Sequence, residues 1–135
     1  MNSSIKANPR PFYATRPDVF LHLEGLALLI AGCIAYGHFY PGRWGLFAAF
    51  FLAPDVALIP YIWSKGLISA NIYNLLHTYL LPLGLGLFAW TSGSAISGEL
   101  ALIWMAHISF DRLMGYGMKY PDDFRRTHIQ SAASV

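Results

Sequence analysis

Four stretches of this chain are long and apolar enough to cross a lipid bilayer, which leaves few folds open to it. They run from Val19 to His38, Trp44 to Trp63, Leu67 to Trp90 and Glu99 to Gly117. Each is close to the ~20 residues that a helix needs to span the hydrocarbon. Backbone N–H and C=O groups in lipid must be paired within the segment, so helices are the expected element. The predicted fold is therefore an all-α, four-transmembrane-helix bundle. Composition agrees, because 56% of the 135 residues are hydrophobic and only 12% are charged. That charged fraction is about half the value usual for a soluble domain. A formal net charge of +2 is too small to argue for nucleic acid, so the expected surroundings are membrane lipids. The single cysteine, Cys33, lies inside an apolar run and reads as a small hydrophobe.

The punctuation divides the chain into three parts. Residues 1–17 are a polar arm carrying Pro9, Pro11 and Pro17; residues 18–117 hold the four runs; residues 118–135 are a tail of mixed charge. A short interfacial helix is expected in the tail from about Asp122. Pro41-Gly42, Ser64-Lys65-Gly66 and the small polar stretch 91–98 separate the runs. Pro54, Pro60 and Pro82 lie inside runs, where neighbouring helices can satisfy the carbonyls that proline frees. Eight of the nine basic residues fall in the N-terminal arm, at Lys65, or from Arg112 onward, and only Arg43 is on the other side. This asymmetry places both termini in the cytoplasm.

Polar residues inside the runs carry the functional signal. At 1.5 Å rise per residue, Glu24, Asp111, Asn74, Asp55, His77 and His107 all lie about 8–15 Å below the cytoplasmic edge. Nothing in composition forces residues on four different helices to one depth. Ionisable groups in hydrocarbon are costly and usually face each other or a wet cavity. One shared pocket in the cytoplasmic half of the bundle is the expectation. His107 and Asp111 are four apart and stack on one helix face. Asn71, Asn74, His77 and Thr78 share a face of the third helix.

Three readings of these residues are open. His77, His107, Asp111 and Asp55 could ligate a divalent metal such as zinc. His107, Asp111 and Asp55 could act as an acid–base unit, with Asn74 and Glu24 binding substrate. The same groups could simply be hydrogen-bonded across helices, with Glu24 paired to Arg112 at nearly the same level. His22, His38 and His128 lie at or beyond span ends and receive no role.

Several blocks occur together: Leu23-Glu24-Gly25-Leu26-Ala27, Phe51-Leu52-Ala53-Pro54-Asp55, Tyr73-Asn74-Leu75-Leu76-His77-Thr78-Tyr79 and His107-Ile108-Ser109-Phe110-Asp111-Arg112. With Gly115-Tyr116-Gly117-Met118-Lys119-Tyr120-Pro121, they resemble a bacterial family of small integral membrane proteins known as domain of unknown function 4260. The resemblance runs from Asp18 to His128. It implies a single four-span domain, multi-pass in the bacterial inner membrane, and brings no activity, substrate or cofactor.

Function therefore rests on the residues. The leading expectation is a metal-assisted or acid–base enzyme acting on a lipophilic molecule from the cytoplasmic leaflet. The alternatives are a proton- or ion-handling homo-oligomer, or an accessory subunit that holds a lipid, quinone or pigment in a larger complex. The outer halves of the runs are almost wholly apolar, which argues against a path through the membrane.

Overall fold

In a computed structural model, which describes residues 17–63 and 66–119, the chain forms six α-helices and one 3-10 helix, with no strand among the described residues. Most of the N-terminal arm, Ser64 and Lys65 of the central turn, and the interfacial helix expected near Asp122 lie outside the described residues.

The first run folds as expected into one helix, α1 (Pro17–Phe39). The second does not. It starts as α2 (Trp44–Phe50), passes into a 3-10 helix over Ala53–Ala57, and resumes as α3 (Leu58–Trp63). Pro54 stands in the first turn of the 3-10 helix, where its missing N–H and fixed φ interrupt the α-helical ladder. The third run also breaks, into α4 (Leu67–Leu76) and α5 (Leu80–Ser92), bent by 42°. Pro82 cannot donate to the carbonyl one turn earlier. Side chains from the last helix cover the opened backbone. Trp104 Nε1 donates to the Leu76 carbonyl at 2.8 Å, and Arg112 Nη2 donates to the His77 carbonyl at 3.2 Å.

That last helix, α6 (Ala95–Met114), is unbroken. The Ser94 side chain caps its start by accepting from Ser97 N–H. Gly115, at φ +84°, ends it, with Tyr116 N–H bonded to the Asp111 carbonyl at 2.7 Å. Among the described residues, only α1 is by itself long and apolar enough to cross a membrane, and α4 with α5 qualify if the bent pair counts as one span. α6 carries Glu99, Asp111 and Arg112. The structure thus differs from four uninterrupted apolar spans in a consistent way: two runs break at proline, and the fourth holds charge.

α6 lies at the centre. Ala101, Ile103, Ala106 and Ile108 on it are buried, as are Tyr36 of α1 and Ala70 and Tyr73 of α4. α1 lies so close to α6 that a Cβ built on Gly25 would stand 2.7 Å from Leu113 N and 2.9 Å from Ser109 O. His22, one turn from Gly25, bonds the Leu113 carbonyl through Nδ1 at 2.7 Å. The outer faces are the reverse of the core: Ile34, Phe39, Trp63, Leu80 and Trp90 are each at least two-thirds exposed.

At the end of the bundle away from His77 and His107, Glu99 is buried and ion-paired. Arg43 Nε donates to its Oε1 at 2.8 Å, and the Tyr36 hydroxyl lies 2.7 Å from the same oxygen. The hydrogen bond to Glu99 raises the Arg43 guanidinium pKa above its usual value. Neither Glu99 nor Arg43 had a structural role assigned from sequence; their union ties the α1–α2 turn to the start of α6.

Candidate metal centre

Two helix breaks and one continuous helix bring four side chains to one point. Asp55 comes from the 3-10 helix, His77 from the break between α4 and α5, and His107 and Asp111 from one face of α6. His77 Nε2 is 3.4 Å from Asp55 Oδ1 and 3.6 Å from Asp111 Oδ2. His107 Nε2 is 3.5 Å from each of the same two oxygens. The two Nε2 atoms are 3.4 Å apart. One donor atom from each residue lies within 4.8 Å of all the others.

These separations are too long for strong hydrogen bonds, which centre near 2.9 Å for N–H···O. They suit the edges of a coordination shell. Five of the six edges are 3.4–3.6 Å, and the sixth, between the two carboxylate oxygens, is no longer than 4.8 Å; a regular tetrahedron with the shorter edges would put a central atom about 2.1–2.2 Å from each corner, close to zinc–nitrogen and zinc–oxygen distances. An octahedral shell of small cations would instead show adjacent ligands about 3 Å apart.

The protonation pattern points the same way. His77 Nδ1 is 2.9 Å from the Tyr73 carbonyl, and a carbonyl only accepts, so the proton sits on Nδ1 and the Nε2 lone pair faces inward. The Tyr73 ring stacks on the imidazole at 3.9 Å and 14°, fixing its plane. The His107 ring meets the Phe51 ring edge-on at 5.5 Å. Its Nδ1 is buried without a hydrogen-bond partner among the described residues. Two carboxylates and two imidazole nitrogens aimed at one another repel unless a cation or shared protons stand between them. The histidines are sealed, at 3% and 1% exposure; Asp111 is 15% exposed and Asp55 35%.

The other residues singled out from sequence lie elsewhere. Glu24 is exposed on α1 and, with Arg112 and Tyr79, lines a separate cavity of about 220 Å³. It is not among the four converging groups. Asn71 is exposed. Asn74 is close to the centre in sequence, but both ends of its amide engage Lys119: Nδ2 donates to the Lys119 carbonyl at 3.0 Å, and Oδ1 accepts from its N–H at 2.7 Å. This clamp folds the segment after α6 back over α4. It brings Lys119 Nζ to 5.3 Å from the Tyr73 ring. Burial pulls the Lys119 pKa down, and the Asp111 and Asp55 carboxylates oppose that shift. Ser109 donates to the Met105 carbonyl at 2.7 Å and lies 3.1 Å from the Tyr79 hydroxyl, so it is a packing residue.

Asn74→Ala removes both clamp bonds. The expected cost is about 1–3 kcal/mol of local stability. The Lys119 amide should then exchange its hydrogen on the order of ten to a hundred times faster, with little change in α1.

Neither curated proteins nor solved structures show a match to the chain. A family model, described as a domain of unknown function (DUF4260), matches residues 18–132 and so covers all four converging residues. By that match, the chain belongs to the domain of unknown function 4260 family.

Proposed function

We propose that the protein is a multi-pass membrane protein that holds one divalent metal ion, zinc by ligand type, between Asp55, His77, His107 and Asp111, and uses it to act on a lipophilic substrate. One observation carries the metal: four donor atoms within 4.8 Å of one another, every separation that involves a histidine nitrogen being 3.4–3.6 Å, with at least one imidazole lone pair turned inward by a carbonyl behind it. Two nitrogens and two oxygens suit zinc. Bound there, such an ion activates a water or polarises a substrate oxygen. The chain's own part is to fix His77 through Tyr73, to keep the histidines dry, and to hold His107 and Asp111 in register on one helix.

Membrane embedding is supported by the apolar outer surface. The most apolar window of α1 is only 11% buried, and large apolar side chains stand outward on every α-helix. Broken helices at membrane depth are tolerated where the opened backbone is covered by protein, as the Leu76 and His77 carbonyls are. The basic residues from Arg112 onward and at Lys65 favour cytoplasmic termini.

A purely structural ion is the second reading, because four protein ligands are the usual mark of a closed zinc site. Elemental analysis of detergent-purified protein tests the metal. Chelation then separates the two roles, since loss of an exchangeable ion leaves the fold intact and loss of a structural one unfolds it.

A further inference from the structure

Beside the four ligands lies an apolar cavity of about 480 Å³, between the broken second run and the α4–α6 wall. Every residue lining it is apolar. The one hydrogen-bonding side-chain group in its wall, Trp104 Nε1, is already committed to the Leu76 carbonyl, so the cavity offers an occupant no polar side-chain partner. Pro54 and Val56, the two neighbours of Asp55, help line it, as does Leu76, the neighbour of His77. Ile103, one turn before His107, is a further wall residue. The cavity and the ligand cluster are thus built from the same two helix breaks and the same face of α6.

The ligands are not equally held. His107 and Asp111 sit on an unbroken helix, and His77 is pinned by Tyr73. Asp55 sits on a short 3-10 turn and is the most exposed of the four. We infer that the cavity takes a single hydrocarbon chain of the substrate, and that the polar oxygen end of that substrate displaces Asp55 from the metal. The occupant is a single-chain lipid or fatty derivative with a terminal oxygen function. A soluble polar metabolite would find nothing to bond there. This inference rests on the metal reading above.

Cobalt(II) in place of zinc gives a visible spectrum that reports exchange of a ligand. The experiment titrates the cobalt-loaded full chain in detergent with decanohydroxamic acid and with acetohydroxamic acid, which share a metal-binding head and differ in chain length. The long chain is expected to bind more tightly, by on the order of tenfold or more, because its methylenes leave water. Leu85→Trp and Leu100→Trp fill the cavity. Each should keep the cobalt spectrum and the acetohydroxamate affinity and lose most of the long-chain advantage. Comparison with the unaltered chain cancels partition of the probe into detergent. An equal long-chain advantage in both variants would overturn the cavity assignment while leaving the metal in place. Absence of any cobalt spectrum in the well-folded chain would remove the metal reading, and this inference with it.

Discussion

Protein purified in detergent and equilibrated with zinc is expected to retain about one ion per chain, and His77→Ala and His107→Ala are expected to retain none after the same wash. Each variant deletes one of four corners and leaves two carboxylates and one imidazole facing each other. Loss of a supporting outer-shell partner alone typically costs 10- to 100-fold in metal affinity. Loss of a ligand should therefore cost at least on the order of a hundredfold. Asp111→Ala should behave like the histidine variants, because its oxygen closes a 3.5 Å edge with His107 on the same helix. Glu24→Gln is the control: Glu24 is exposed and is not among the four converging side chains, so full stoichiometry is expected. Helical circular dichroism separates loss of metal from loss of fold. A folded wild-type chain that takes up no zinc would contradict the assignment.

The second large effect is expected at Gly25. A methyl group there would sit 2.7 Å from Leu113 N, 2.8 Å from Arg112 Cβ and 2.9 Å from Ser109 O. Two of those atoms are backbone of α6 and cannot step aside as a side chain could. Gly25→Ala forces α1 away from α6 and should cost at least about 1–3 kcal/mol. Gly25→Leu should largely prevent α1 from docking. Gly84 in α5 is the internal comparison, because nothing lies within 4 Å of its added Cβ. Gly84→Ala should be neutral or stabilise by about 0.5–1 kcal/mol through helix propensity. Thermal unfolding of the three variants in one detergent decides it. A Gly25→Ala midpoint equal to that of wild type would contradict the close α1–α6 approach.

The site was legible in the sequence because depth along a helix is set by counting. Asp55, His77, His107 and Asp111 come from three separate apolar runs, yet their levels agree, and the structure brings their donor atoms together. Counting gives depth but not direction. Counting puts Glu24 level with the four, but Gly25 is the residue that meets α6, and adjacent helical positions point about 100° apart. Glu24 therefore stays exposed, beside the cavity it lines with Arg112 and Tyr79. His22 shows the converse, since it lies three residues from Gly25, on the same side, and reaches Leu113.

The breaks were harder to read. Pro54 and Pro82 signal weak points, but a proline kink and a full change to 3-10 geometry look alike in sequence. At the α4–α5 bend the supporting contacts are tertiary, since Trp104 and Arg112 from α6 take the Leu76 and His77 carbonyls. Asn74 looked like a ligand-orienting amide, and its actual partner is backbone 45 residues away. The Glu99–Arg43–Tyr36 cluster had no local signature, because its members meet only when α1 and α6 pack.

X-ray absorption at the zinc edge tests the central claim most directly. The account predicts a first shell of four nitrogen and oxygen atoms at about 2.0–2.2 Å, with outer-shell scattering from two imidazoles and no sulfur. In His107→Ala any residual zinc should show one imidazole fewer. A six-coordinate oxygen shell, a sulfur contribution, or a spectrum unchanged by His107→Ala would contradict it.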